Sequence, residues 1–228
     1  MFAILFTAAL SRYLPGKVWI FVGQVNAASR MGYKPSTTLA ASAVQNIVGN
    51  LSNVIMLGVF AALSKRFQVI AWPAFALATV GTVVLFASPA WVEARFNAWR
   101  AKRGGEPVRI AVGRASIAKA YVLMLFAWVE HALAFVALVA SATPLAWAAA
   151  FDLGLAYMLA YQAGFVAFVV PGGLGVREAA LTAMLGGVLG AGAAGLVATA
   201  QRLWFLVAEL MALPFALWML RRESSGAG

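Results

Sequence analysis

The side chains best placed to do chemistry in this chain are the charged residues that follow two proline–glycine breaks. Lys17 comes directly after the first break, and Arg177 and Glu178 follow the second. The break residues are Pro15, Gly16, Pro171, Gly172, Gly173 and Gly175. Proline lacks a backbone donor and glycine permits positive φ, so no continuous helix is expected to cross either break. A helix that starts after a break presents unpaired N–H groups, and a basic side chain in its first turn makes that end suited to phosphate.

The composition decides what kind of protein carries these breaks. Of the 228 residues, 64% are hydrophobic and 11% are charged, and the mean hydropathy is +0.89. Apolar windows of about twenty residues recur along the chain, each long enough to cross a bilayer as a helix. We therefore predict an all-α polytopic membrane protein with about six to seven membrane segments. The predicted full spans cover residues 37–63, 69–92, 121–142, 147–170, 179–200 and 203–220.

The two breaks share one plan, in which an apolar approach is followed by Pro-Gly, a basic residue and a mixed helix. Paired interrupted segments in corresponding halves indicate a substrate site near the membrane midplane. We predict two broken or re-entrant helices within an internal repeat; ordinary interfacial turns are the alternative. We predict a single transmembrane domain, residues 1–228, in two halves. The first half is 1–92 with its break near 15–16, and the second is 120–220 with its break near 171–175. A basic loop, 93–119, joins the halves, and a tail, 221–228, follows the second.

The basic residues set the orientation of the chain. Lys and Arg number 17 against 7 Asp and Glu, giving a net charge of +10, and seven of the basic residues lie between Arg95 and Lys119. By the positive-inside rule the 93–119 loop and the C-terminus are expected on the cytoplasmic side of the membrane. The clustering fits a loop beside anionic headgroups better than a nucleic-acid site, because no basic stripe is expected to alternate with exposed aromatic residues on a soluble domain.

Several polar residues interrupt the apolar spans: Gln45, Asn46, Asn50, Glu130, His131 and Glu209. Those of the first full span, with Ser52 and Asn53, share one helix side, so they are expected to face protein or water. They either bond to neighbouring helices or form the wall of a polar cavity. Glu130 near mid-span is expected on an interior face or cavity, as a proton relay, a counter-charge for a cationic ligand, or a partner of Arg202. Adjacent helical residues point about 100° apart, so Glu130 and His131 are not expected to share a partner.

No constellation in the chain suggests catalysis. The sequence has no cysteine and one histidine, and it shows no serine-nucleophile elbow, Walker loop or metal-spaced ligand cluster. We therefore predict no enzyme activity, no cofactor and no metal site. The first ten residues lack a basic n-region and a cleavage site, and they are predicted as the tail of a membrane helix.

The motif VVPGGLGVREAALTAML is preceded by AYMLAYQAGFVAF and followed by QRLWFLVAEL, and the earlier break reads SRYLPGKVWIFVGQ before GYKPSTTLAASAVQ. Over nearly the whole chain this resembles the lysylphosphatidylglycerol synthase transmembrane, or flippase-like domain, family of bacteria and archaea. By that resemblance Arg177 and Glu178 correspond to the family's Arg-Glu pair, residues 171–175 to its broken helix, and Arg202 to its late arginine. Relatives either form the lipid-translocating half of aminoacyl-phosphatidylglycerol synthases or occur alone beside envelope-lipid and glycosyltransferase systems.

Three departures from the family's pattern limit what the resemblance implies. Members usually carry further membrane helices before the first motif, so this chain resembles an N-terminally short member. Gln45 stands where relatives often have an acid, which removes support for an ion-coupled role there. The aminoacyl-transferase domain of the synthases is absent, so synthase activity is not implied.

Residues and resemblance together lead to one expected function and one alternative. The expected function is a flippase-like carrier of an anionic phospholipid or lipid-linked sugar, with the headgroup held by Lys17, Arg177, Glu178 and Arg202. Lys17 and Arg177 could instead reach to the membrane interface or pair with Glu178. The alternative function is a non-transporting partner or anchor of an envelope glycosyltransferase or lipid-modifying enzyme, with the basic loop as its docking surface.

Overall fold

The computed structural model describes residues 18–29, 32–64, 67–87, 89–105, 107, 113–167, 170 and 173–225. Every regular element in those ranges is an α-helix. The helices are α1 (Val18–Ser29), α2 (Pro35–Leu63), α3 (Gln68–Ala87), α4 (Pro89–Ala101), α5 (Arg114–Ala142), α6 (Trp147–Val166), α7 (Val176–Leu189) and α8 (Ala191–Ser225).

Five of these helices are long and apolar enough to cross a membrane. The qualifying segments are Pro35–Leu63, Gln68–Phe86, Arg114–Ala142, Trp147–Val166 and Ala191–Met211. Helices satisfy their backbone hydrogen bonds internally, which is what a segment surrounded by hydrocarbon requires. The predicted all-α polytopic membrane fold is confirmed, and the chain is an integral membrane protein.

The chain divides into two compact units, one of residues 40–159 and one of residues 1–39 with 160–228. In the 40–159 unit, a buried cluster joins α2, α3 and α5, and it consists of Val44, Val48, Leu85, Ile117 and Tyr121. The Tyr121 hydroxyl lies 2.7 Å from the hydroxyl of Thr82, so its polar end is satisfied beside this apolar cluster.

Helix α6 packs into the same unit through a nearly continuous buried run, residues 153–158. Close approach depends on Gly154, because a Cβ there would lie 2.6 Å from the ring of Phe60 on α2. Small residues of this kind let membrane helices pack closely, where van der Waals contact supplies much of the stabilisation.

In the unit of residues 1–39 with 160–228, α7 and α8 pack against one another. Leu181 and Leu185 are buried on α7, and Ala194 and Ala198 are buried on α8. Each pair is four residues apart and so lies on one side of its helix. The alanines let the two helices pack closely.

The structure corrects two predicted boundaries. The predicted span 69–92 ends earlier, at Ala87, and a new helix starts at Pro89. The predicted 93–119 loop is therefore helical up to Ala101, and it is helical again from Arg114. Proline cannot continue a helix but is well suited to its first position. The boundary predicted between the spans 179–200 and 203–220 lies instead at Gly190, whose φ is +79°. Helix α8 continues without interruption through Arg202.

Candidate functional site

The start of α7 lies directly against the end of α6, and glycine makes this approach possible. Gly173 and Gly175 have φ of +70° and +79°, a region that other residues rarely adopt. A Cβ on Gly173 would lie 2.9 Å from the Cα and 3.0 Å from the carbonyl oxygen of Gly164 on α6. Two features therefore require glycine at position 173: its positive φ, and the lack of room for a Cβ beside the backbone of Gly164.

Glu178 closes the N-terminus of α7. Its Oε2 accepts a hydrogen bond of 2.7 Å from the backbone N–H of Gly175, which satisfies one of the free donors at the helix start. Its Oε1 lies 3.6 Å from Nε of Arg202 on α8, and the two side chains are only 23% and 14% exposed. Glu178 therefore caps α7 and also ties it to α8.

Arg177 extends in a different direction, across α6. A Cβ on Gly164 would overlap Cγ and Cδ of Arg177, so the arginine stem passes over this glycine. The guanidinium carbon then lies 4.9 Å from the centre of the Tyr161 ring. A guanidinium that stacks through its flat face keeps the N–H groups at its edge available, and these are the donors that bind phosphate in pairs.

Of the four predicted headgroup residues, the structure brings Glu178 and Arg202 into contact, and it places Arg177 separately on Tyr161 of α6. The suggested pairing of Arg177 with Glu178 is wrong, because Glu178 turns to Arg202 while Arg177 lies on Tyr161. Lys17, Pro15, Gly16, Pro171 and Gly172 lie outside the described residues, as does the first break as a whole. Glu209 is half-buried in α8, two turns after Arg202.

Sequence reasoning missed the residues of α6 that hold Arg177. Neither Tyr161 nor Gly164 is among the candidate site residues selected from the sequence. Their spacing of three places them on one side of α6, which is the available signal. That spacing alone could not show which side chain lies across them.

The predicted polar face of α2 divides into three parts. Asn46, Asn50 and Ser52 donate to the carbonyl oxygens of residues 42, 46 and 48 one turn earlier, at 2.9, 2.8 and 2.7 Å. Asn53 is fully buried, and its Nδ2 lies 3.0 Å from the sulfur of Met158 on α6. Gln45 is exposed in this unit, and the expectation that it faces protein or water stays a prediction. The arrangement favours local and interhelical bonding over a cavity wall.

Glu130 and His131 lie beside one another on α5. The Glu130 side chain is 77% exposed and its Oε2 lies 3.4 Å from Nδ1 of His131. Glu130 is therefore not on an interior face of the 40–159 unit, and the alternative of an aqueous cavity stays a prediction. The same Nδ1 lies 2.6 Å from the carbonyl oxygen of Ala127. The two side chains bend towards one another although their Cα–Cβ bonds diverge. Arg202, suggested as a partner of Glu130, has Glu178 as its acidic neighbour.

Two further polar contacts of the 40–159 unit were not predicted. The hydroxyl of Ser64 donates to Asp152 of α6 and accepts from the backbone N–H of Phe67. The indole N–H of Trp128 donates to the carbonyl oxygen of Gly49 at 3.0 Å. Among the residues that the structure describes, no group of three or more His, Cys, Asp or Glu could hold a metal ion.

Comparison of the chain with protein-family models, with curated proteins and with solved structures found no match in any of the three.

Proposed function

We propose that this integral membrane protein is a flippase-like carrier that admits the anionic headgroup of a phospholipid or lipid-linked sugar at the start of α7. The observation that carries the proposal is the position of Arg177. Its guanidinium rests on Tyr161, and no acidic residue pairs with it in the described part of the chain. An arginine held by an aromatic ring and not neutralised by a carboxylate is ready to bind phosphate.

The surroundings of Arg177 assign different tasks to the neighbouring charges. Glu178 caps the end of α7 and forms an ion pair with Arg202, so the contribution of these two residues is to hold the helix in place. Gly173 and Gly164 allow the start of α7 to lie against α6, and this contact sets the position along α6 at which Arg177 meets Tyr161. The break thus supplies the position, and Arg177 supplies the charge.

Lipid movement in liposomes tests this proposal. The purified chain is reconstituted with labelled phosphatidylglycerol or a labelled polyprenyl phosphate, and the rate at which label crosses the bilayer is measured. We expect accelerated movement that is lost in Arg177→Gln and reduced in Lys17→Ala. Lys119→Gln is the matched control, because it removes one exposed positive charge from the first turns of α5.

The alternative function, a non-transporting anchor of an envelope glycosyltransferase, has its own supporting observation. Both carboxylate oxygens of Glu178 are used inside the protein, as they would be at a purely structural helix junction. Under this alternative a folded, reconstituted protein moves no lipid and Arg177→Gln leaves its cellular role intact. If lipid movement were unchanged in Arg177→Gln, the headgroup would not bind at this site.

A further inference from the structure

Helix α4 carries a feature that the proposed carrier role does not use. Tryptophan and arginine alternate at intervals of four residues along one side of the helix and into the turn that follows it. We call this the Trp–Arg ladder, and its members are Trp91, Arg95, Trp99 and Arg103. A spacing of four keeps side chains on one side of a helix, so the four residues form a single stripe.

The arginines of the ladder stack on its tryptophans. The guanidinium carbon of Arg95 lies 5.5 Å from the Trp91 ring centre, and that of Arg103 lies 4.2 Å from the Trp99 ring centre. The ring of Phe96 lies beside that of Trp99, with centroids 6.1 Å apart. The stripe is therefore an ordered surface of aromatic rings and guanidinium groups.

This surface is open. Trp91 and Trp99 are 52% and 50% exposed, and Arg95 and Arg103 are exposed as well. Within the described ranges neither arginine pairs with an acidic residue. Each guanidinium lies over a tryptophan ring and has no acidic partner from those ranges, so the ladder presents positive charge and N–H groups outwards.

The neighbouring helices place the ladder at the edge of the membrane. The membrane-crossing segment of α3 ends at Phe86, and α4 begins at Pro89. After α4 the chain enters another crossing helix, α5, at Arg114. Both ends of the intervening segment are tied to membrane spans. With 13 residues that include Glu93, α4 is itself too short and too polar to cross.

We propose that α4 lies in the membrane surface and binds anionic phospholipid headgroups through the Trp–Arg ladder. Tryptophan rings favour the depth of the headgroups, where their apolar body and N–H group are both accommodated. Arginines beside them can donate to lipid phosphates while they stay on the rings. Short helices with this combination of aromatic and basic residues lie in the interface plane and respond to anionic lipid.

The absence of cysteine from the sequence makes a site-specific test direct. The full chain with Phe96→Cys, or with Ala101→Cys about 140° round the helix, is labelled with the fluorophore NBD. Each protein is reconstituted in phosphatidylcholine vesicles with or without phosphatidylglycerol, and quenching by aqueous iodide is measured. We expect the label at residue 96 to be shielded from iodide, more so with phosphatidylglycerol, and the label at residue 101 to remain accessible.

The arginines are tested on the Phe96→Cys background. Arg95→Gln with Arg103→Gln should shift the ratio of shielded to accessible label by about fivefold for each arginine, and only in phosphatidylglycerol vesicles. Lys34→Gln with Lys119→Gln removes the same charge from exposed sites elsewhere and should leave quenching unchanged. High salt should reproduce the effect of the arginine variant.

Two results would overturn the proposal. If residue 96 were as accessible to iodide as residue 101 in phosphatidylglycerol vesicles, the ladder would face water and be available to a protein partner instead. If residue 96 were shielded equally with and without phosphatidylglycerol, the surface would not recognise anionic lipid. Helix content and gel-filtration behaviour of each variant establish that it is folded, and neither result depends on whether the protein moves lipid.

Discussion

The close approach of α7 to α6 can be tested with two glycines that share a positive φ and differ in what an added Cβ would meet. Gly173 and Gly175 both have positive φ, at +70° and +79°, so alanine at either position is strained by its dihedral angle. A Cβ at Gly173 would meet the backbone of Gly164 at 2.9 Å, whereas a Cβ at Gly175 would have no neighbour within 4 Å. Alanine keeps the backbone N–H at both sites, so the difference between the variants isolates the contact with α6.

The expected magnitudes follow from these two costs. A backbone conformation with positive φ that L-residues rarely adopt costs about 1–3 kcal/mol, which applies to both variants. An added methyl group that must displace its packed neighbours costs about a further 1–3 kcal/mol, which applies only to Gly173→Ala. The free energy of unfolding should therefore fall by about 1–3 kcal/mol in Gly175→Ala and about 2–6 kcal/mol in Gly173→Ala.

Thermal unfolding in mild detergent, followed by circular dichroism, measures this difference. For a chain of this size 1 kcal/mol shifts the Tm by about 2–4 °C, so Gly173→Ala should melt at least about 2 °C below Gly175→Ala. Lipid movement should fall in the same order, because displacing the break moves Arg177 away from Tyr161. Equal losses of Tm in the two variants would refute the close approach to Gly164 and with it the reason given for glycine at 173.

Two further substitutions test the contacts that hold each unit together. Glu178→Gln keeps an oxygen that can cap α7 but removes the charge opposite Arg202. Because Arg202 is only 14% exposed, we expect the free energy of unfolding, measured by urea titration, to fall by about 2–4 kcal/mol. Replacing Arg202 by Met in that variant should restore part of the loss, and no restoration would contradict the pairing. Trp128→Phe removes the hydrogen bond to Gly49 and should cost about 1–2 kcal/mol, whereas Trp204→Phe, at a site 66% exposed, should leave the Tm almost unchanged.

The helices could be predicted from the sequence because each membrane crossing needs its own apolar length. Composition could not predict the residues at which the helices begin and end. Pro89 starts a helix where an apolar window continued past it, and Gly190 ends one where small residues gave no contrast in hydropathy. Arg202 looked like the start of a span because it is charged, but a charge with a partner on the next helix does not interrupt α8.

The candidate site was predicted as a set of residues and not as a set of contacts. Charge and break position were enough to select Arg177, Glu178 and Arg202. Their pairing depends on which side of α7 each side chain leaves, and on Tyr161 and Gly164 of α6, which lie across the break in sequence. Such long-range packing has no local signal, so the sequence left open a pairing of Arg177 with Glu178 that the structure does not form.

The charges of the described site bear on the kind of headgroup that it suits. Arg177 and Arg202 contribute two positive charges and Glu178 one negative charge, which leaves one positive charge, and the contacts place it on Arg177. A phosphodiester headgroup with one net negative charge would neutralise that arginine. A lipid phosphate with more negative charge would need a second cation, and Lys17 at the first break is the candidate. The carrier proposal therefore predicts that Lys17→Ala slows a polyprenyl phosphate more than phosphatidylglycerol, and equal slowing of both would show that Lys17 does not set headgroup charge.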